Sequence, residues 1–370
     1  MHTESKRCIY HYPGEIVASG IGSALRPHKM LEAFIQLGYE VDVVSGTSAE
    51  RKRIMKQIRE KICSGAKYDF LYAEDRNIPY ALSDDDHLPR HPFADISFIG
   101  YCRRKGIPIG LFYRDVYWKF PLYKKALPFV KRTLSIMAYQ WEAKRLEHAI
   151  NILYLPSNLM KQYIFGRIES HELPPGCTIV HQEGNRTVTA DPLEIFYVGS
   201  ISSDLYNIKT FCEAVKATEG VNLTICTPQT QWNEMQEYYQ TALCDRITIV
   251  HKRGKELESY YMNADIFSCC IENNEYRQFA MPLKVFESIG YGKPILATMD
   301  NAVAALVDRE GCGWTVEYSK EKICAFLEWI KTHPEEIRIK TQKVRNIAQN
   351  HTWQCRAQQV ADELTNWKKG

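Results

Sequence analysis

The sequence predicts an α/β protein built from two doubly wound, Rossmann-like domains, and three observations carry that prediction. A chain of 370 residues is longer than one hydrophobic core usually organises and suits two. Near its start, an apolar run from Cys8 to Tyr12 leads into a glycine-containing loop. A segment with Met30, Leu31, Phe34 and Leu37 at helical spacing follows, closed by Gly38 and a second apolar run from Val41 to Ser45. That succession is a strand–loop–helix–strand unit of a doubly wound sheet. The same alternation restarts with Leu193 to Val198, after a polar tract from His181 to Asp191 with few large apolar side chains. The expected division is therefore 1–185, 186–348 and a final helical segment, 349–370.

Composition removes several function classes. Lys and Arg number 47 against 44 Asp and Glu, and a net charge of +3 is too weak to suggest a nucleic-acid partner. Twelve cysteines are scattered with no Cys-x-x-Cys pair and no Cys/His cluster at zinc spacing, which reads as reduced thiols in the cytoplasm and no metal site. The N-terminus is polar and leads straight into a strand, so no signal peptide is expected, and no run approaches the roughly 20 apolar residues of a membrane span. No cofactor is called for.

In the first half, Ser19 to Ser23 contains Gly20 and Gly22, either a tight turn or a place where a ligand approaches the backbone. It lacks the third glycine of the dinucleotide fingerprint. A helix starts near Arg26 and Pro27. Glu50 to Ile62 reads as a charged amphipathic helix and Tyr68 to Ala73 as a strand. The acidic tract Ser83 to Pro92 reads as a solvated turn, its two prolines breaking regular ligand geometry. Phe98 to Arg104 is helical, and the buried strand Ile107 to Tyr113 ends at Arg114 and Asp115, where open α/β sheets bind ligands. From that position Asp115 is suited to orient a ligand hydroxyl or to take its proton. Arg114 is suited to bind an anionic ligand or to steady Asp115; the alternative is an internal Arg–Asp pair. Residues 119–149 mix basic side chains with aromatics. They read either as an amphipathic helix docking on an anionic membrane or as a core helix with a solvated basic face. Ile150 to Leu155 is a strand, and Ser157 is a plausible N-cap for a helix after it.

In the second half, strands at Leu193 to Val198, Val221 to Cys226, Ile247 to His251 and Asp265 to Cys270 alternate with helices at 209–217, 232–243 and 255–264. The stretch from Ala280 to Thr298 organises the rest. Pro282 suits a helix start, Val285, Phe286 and Ile289 point inward, Gly290 and Gly292 end the helix, and Pro294 to Ala297 is an apolar strand. Lys284 lies in the first turn, where the helix dipole disfavours a cation, so a negative partner is expected; Glu287 is one turn on. Helices follow at 301–310, 320–332, 334–349 and 353–367, with a Gly-rich turn and strand from Gly311 to Val316.

The segment Pro282-x-Lys284-x-x-Glu287, followed by Gly292, Lys293, Pro294 and two apolar residues, resembles the donor-site helix of retaining GT-B glycosyltransferases of the family-four group. The resemblance covers most of the second domain and, more loosely, the first. It implies a GT-B architecture, two domains facing across a cleft, with the last helix crossing back to the first domain. The implied reaction moves a sugar from a nucleotide diphosphate sugar, the co-substrate, to a hydroxyl acceptor such as a lipid-linked glycan, with retained configuration. It implies Glu287 on the ribose, Lys284 on the phosphates, Met281, Pro282, Gly199 and Ser200 around the donor, and Gly20, Gly22 and Arg26 on the acceptor side. Arg114 and Asp115 stand at a strand end where such enzymes often carry a histidine or an Arg–Asp pair. This sequence departs from the pattern in two places. Phe279 stands where many members have a sugar-facing glutamate, and Ser200 and Tyr206 (or Asn207) stand where an arginine and a lysine contact the diphosphate. The missing charge then falls to Lys284, Arg253 and Arg277, with Glu275 also in the loop that faces the sugar. The departures keep open a nucleotide-sugar epimerase or hydrolase, and a non-catalytic binding subunit.

Overall fold

The computed structural model describes residues 6–18, 24–121, 123, 127–164, 166, 168–180 and 192–367. Gly20, Gly22 and the tract 181–191 lie outside the described residues. The chain forms two compact units, one of Met1–Pro174 with Trp353–Gly370, the other of Pro175–Thr352.

The first unit carries a six-stranded parallel sheet in the order β2-β1-β3-β4-β5-β6, from β1 (Arg7–His11), β2 (Glu40–Val44), β3 (Phe70–Glu74), β4 (Ile109–Phe112), β5 (Ile152–Leu155) and β6 (Ser170–Glu172). Parallel pairing requires crossovers, here α1 (Leu25–Gln36), α2 (Ser48–Cys63), α3 (Ala94–Arg104) and α4 (Phe129–Ala149). Helices on both faces explain why β3, β4 and β5 are buried along their whole length and read as unbroken apolar runs. The last helix, α12 (Trp353–Trp367), packs on α1 in this unit.

Two local expectations are corrected and a third is filled in. The basic segment 119–149 is not one helix: α4 begins at Phe129 with Pro128 as its N-cap, because proline lacks an N–H and biases the residue before it away from helix. Ser157 leads into a short 3₁₀ turn, Asn158–Tyr163, rather than an α-helix. The helix read as charged and amphipathic, α2, buries one of its arginines on its inward face. Arg51 shares the inward face of Met55 and Ile58, and it is 0 % exposed.

Arg51 is tolerated inside because nearly all its donors are used. Nε and Nη2 reach the two Asp95 oxygens at 2.9 and 3.0 Å, Nη1 donates to Gly46 O at 2.7 Å, and Nη2 also donates to Ser83 Oγ at 2.8 Å. His11 Nε2 lies 2.7 Å from the same Asp95 oxygen. Burial alone would raise the Asp95 carboxyl, but the His11 and Arg51 hydrogen bonds and charges outweigh it and bring it down to about 2. The acidic tract is also structural, Asp84 accepting from Ser48 N at the start of α2 at 2.7 Å.

The second unit carries another six-stranded parallel sheet, in the order β12-β11-β10-β7-β8-β9. Its strands are β7 (Leu193–Val198), β8 (Val221–Cys226), β9 (Ile247–Val250), β10 (Ile266–Cys269), β11 (Ile295–Thr298) and β12 (Gly313–Val316). The helices are α5 (Lys209–Ala217), α6 (Gln229–Tyr239), α7 (Glu258–Asn263), α8 (Leu283–Gly290), α9 (Ala302–Glu310), α10 (Lys320–Lys331) and α11 (Pro334–Ala348). The strand order reverses between β7 and β10, the position at which doubly wound sheets take their ligands. Pro282 is the N-cap of α8 rather than a residue of its first turn. α8 ends at Gly290, where nothing larger fits: a Cβ there would lie 2.3 Å from Thr178 O.

Two outcomes check this packing. Asp95→Asn leaves Arg51 buried without its countercharge and is expected to cost about 3 kcal/mol in denaturant unfolding at pH 7. Because the Asp95 value in the fold lies below its unfolded value of about 4, its contribution is present above pH 4 and is lost as pH falls towards 2. Asp95→Asn should flatten the stability profile in that window, and an unchanged profile would contradict the assignment. In Gly290→Ala, better helix propensity offers about 1 kcal/mol, but the clash with a backbone carbonyl outweighs it. A lower Tm is expected, and a higher one would contradict the close approach.

Candidate active site

In the second unit, the segment after β10 delivers two groups to the carboxyl end of the sheet. The first is on α8. Glu287 Oε2 accepts from Lys284 Nζ at 2.7 Å and from the Tyr261 hydroxyl at 3.1 Å. Lys284 and Glu287 are one turn apart, so the cation that is unfavourable in the first turn finds its countercharge at i+3. Tyr261 comes from α7 and is fixed by stacking on Tyr291, ring centroids 4.6 Å apart. Burial first, then the Glu287 charge, push its phenol well above the usual range, so it stays a donor. The other carboxylate oxygen, Glu287 Oε1, carries no hydrogen bond among the described residues, and the side chain is a quarter exposed. A carboxylate held on one oxygen and open on the other is suited to accept from a ligand's hydroxyls.

The second group is Arg277. Its guanidinium lies over the Tyr206 ring, 4.9 Å from the centroid, and the side chain is almost buried. Its charge opposes the upward push that burial gives Tyr197 and Cys269, which lie at the carboxyl ends of β7 and β10. Of the loop after β7, Ser200 O accepts from the Tyr197 hydroxyl at 2.5 Å, Ser200 Oγ accepts from Gln231 at 3.3 Å, and Gly199 N donates to Cys226 O at 3.0 Å. Met281 and Pro282 are half-buried beside the α8 start, while Arg253 and Glu275 are exposed and, among the described residues, form no hydrogen bond or ion pair with Glu287 or Arg277.

In the first unit the polar groups at the sheet's carboxyl end are largely engaged with one another. Arg114 N donates to Asp75 Oδ1 at 2.6 Å, and its guanidinium lies 3.9 Å from Glu74. The internal pair is thus with Glu74 rather than Asp115, which accepts from Asn77 at 3.3 Å. Arg26 is turned inward: Nε lies 3.4 Å from Glu74, and the guanidinium covers the Phe112 ring at 3.5 Å. Its guanidinium therefore serves the fold instead of facing an acceptor. Burial raises the Asp75 and Glu142 carboxyls well above the usual range, the former against the Arg114 N–H and the latter against the Tyr80 N–H that it accepts at 2.6 Å.

Sequence reasoning missed Tyr261, Tyr206, Glu74, Asp75 and Glu142. Only Glu74 and Asp75 had a signal, standing at the end of a predicted strand. The two tyrosines come from elsewhere in the chain and are paired by tertiary packing alone. Among the described residues no group of three or more His, Cys, Asp or Glu is placed to hold a metal ion.

Residues 192–331 match the family model described as Glycosyl transferases group 1. No curated protein matches the chain by sequence. Solved structures resemble it over nearly its whole length. Sucrose-phosphate synthase from Thermosynechococcus elongatus aligns at 13 % identity and TM-score 0.62, covering 98 % of this chain and 99 % of the other. Anabaena Alr3699/HepE in complex with UDP-glucose aligns at 12 % identity and TM-score 0.63, covering 97 % and 99 %. The E. coli trehalose-6-phosphate protein bound with UDP-2-fluoro glucose aligns at 9 % identity and TM-score 0.58, covering 97 % and 99 %. The chain therefore has the two-domain α/β fold of the GT-B glycosyltransferases, and the segment that bears Glu287, Lys284 and Arg277 is the one that matches the group 1 glycosyl transferases.

Proposed function

We propose that this protein is a glycosyltransferase that binds a nucleotide diphosphate sugar in its second unit and transfers the sugar to a hydroxyl acceptor with retained configuration. The observation that carries the reading is Glu287, oriented by Lys284 and Tyr261 with Oε1 open, on the helix that follows β10. Glu287 accepts from the ribose hydroxyls. Lys284, still held on Glu287 Oε2, offers its remaining N–H donors to the phosphates, as do the first N–H groups of α8. In the reaction the bond from the anomeric carbon to the diphosphate oxygen breaks, the acceptor oxygen bonds to that carbon on the same face, and the acceptor proton leaves with the diphosphate. Preorganised cations stabilise the departing charge. On the acceptor side the reading uses Arg114 and Asp115, and Gly20 and Gly22. Glu287→Ala should weaken UDP-sugar binding about tenfold or more, seen as a lost thermal shift at fixed ligand. An unchanged shift would defeat the donor assignment. Incubation with the donor alone separates transfer from epimerisation or hydrolysis, which need no acceptor, and a binding subunit would take up nucleotide and release no product.

The acceptor reading is a lipid-linked glycan reached by peripheral contact with an anionic membrane on its cytoplasmic side. Among the described residues no helix is long and apolar enough to cross a membrane. The observation favouring surface contact is on α4, where Phe129, Val130, Leu134 and Met137 are 60 to 70 % exposed. Val130, Leu134, Met137 and Trp141 follow the 4-3-4 spacing of one helix face. Basic side chains flank that face, Arg132 over Phe129 and Arg145 over Trp141. An apolar stripe edged by cations suits an interface of apolar chains and anionic headgroups. In sedimentation with anionic phospholipid vesicles, Val130→Glu with Leu134→Glu should lower the bound fraction about tenfold and leave nucleotide binding unchanged. Equal sedimentation of both proteins would refute the contact.

A further inference from the structure

Arg277 is 8 % exposed and has no ion-pair partner among the described residues. The comparison within the molecule is direct. Arg51, 0 % exposed, has Asp95 at 2.9 Å, and Arg26, 4 % exposed, has Glu74 at 3.4 Å. Arg277 has no carboxylate within ion-pair distance among the described residues; its side chain rests on the Tyr206 ring instead. A guanidinium on a side chain this buried, with no countercharge but with none of its nitrogens sealed off from solvent, gains from binding an anion. Its place fits a ligand's anion. It lies by Tyr197 and Cys269, on the two strands between which the order of the sheet reverses.

The position is built rather than incidental. Arg277 N donates to Asn274 Oδ1 at 3.0 Å, and Asn274 Nδ2 donates to Asp204 O at 3.2 Å, tying the loop after β10 to the loop after β7. Within the second loop, Ser202 Oγ accepts from Tyr206 N at 2.9 Å, and Ser202 N donates to Tyr206 O at 3.2 Å. Tyr206 is thus held two residues from the clamp, with its ring under the guanidinium. Stacking on an aromatic face leaves the in-plane N–H groups of arginine available for paired bonds to phosphate oxygens.

We propose that Arg277, seated on Tyr206, is the subsite for the diphosphate of the donor, standing in for the basic pair that Ser200 and Tyr206 displace from the loop after β7. Arg277 contacts the leaving group; Tyr206 is a positioning residue that acts through it. This inference rests on the donor-binding reading above.

Calorimetric titration of UDP, ADP and GDP, each beside its monophosphate, tests it. The wild-type protein should prefer one diphosphate over its monophosphate about tenfold or more, the worth of a charge-assisted paired contact. Arg277→Ala should bring that ratio to about two or less with the monophosphate affinity unchanged, which also shows that the variant is folded. Tyr206→Phe should keep the wild-type ratio and Tyr206→Leu should lose about fivefold of it. If Arg277→Ala keeps the preference, the subsite is overturned while donor binding stands. If Tyr206→Leu behaves as Tyr206→Phe, the positioning role is overturned. If the wild-type protein binds none of the nucleotides, the donor reading itself fails and the subsite with it.

Discussion

A carboxylate that is to receive a ligand must be held still without losing all its lone pairs to the protein, and the account of the second unit depends on that constraint. Glu287 meets it by dividing the work between its oxygens. Oε2 takes an ammonium one helical turn away and a buried phenol from another helix, and Oε1 stays open. Each partner does something the other does not. Lys284 supplies charge but sits on a flexible stem, whereas Tyr261 supplies a fixed direction, because its ring is packed between Phe196 and Tyr291. Helix α8 in turn can lie where it does only because Gly290 lets the chain at Thr178 pass against its end.

The same principle, applied to charge rather than direction, sorts three of the buried arginines. Arg51 and Arg26 have carboxylates within the fold and therefore belong to its architecture. Among the described residues Arg277 has none, and it lies by the strands between which the order of the second sheet reverses, the place proposed for the donor's diphosphate. The first unit shows the opposite balance. Its buried acids Asp75 and Glu142 are pushed towards the neutral form by burial, so the fold keeps protons that the unfolded chain would release. Holding those protons costs stability as pH rises above the unfolded carboxyl values of about 4, the reverse of Asp95.

Much of the architecture was legible because parallel sheets leave a simple trace. Strands covered on both faces become continuous apolar runs, such as Phe70 to Ala73 and Ile295 to Thr298, and glycines such as Gly38 and Gly292 mark where helices must stop. The α8 motif was legible for the same reason, since its contacts are local and Lys284 and Glu287 meet at i,i+3. What escaped was tertiary. Tyr261 lies 26 residues before its partner and Tyr206 lies 71 before Arg277, at no spacing that a periodicity reveals. The burial of Arg51 was not legible although its spacing to Met55 and Ile58 places it on the inward face, because Asp95, which compensates its charge, comes from another helix. The short polar strand β6, Ser170–Glu172, has no apolar pattern to announce it.

The central claim is that Glu287 receives the ribose of a nucleotide sugar through its open oxygen. A crystal structure of the protein soaked with UDP-glucose tests it most directly. The account predicts a ribose hydroxyl within hydrogen-bond distance of Glu287 Oε1, with Lys284 and Tyr261 still on Oε2. A nucleotide seated elsewhere, with Glu287 Oε1 facing only solvent, would contradict it.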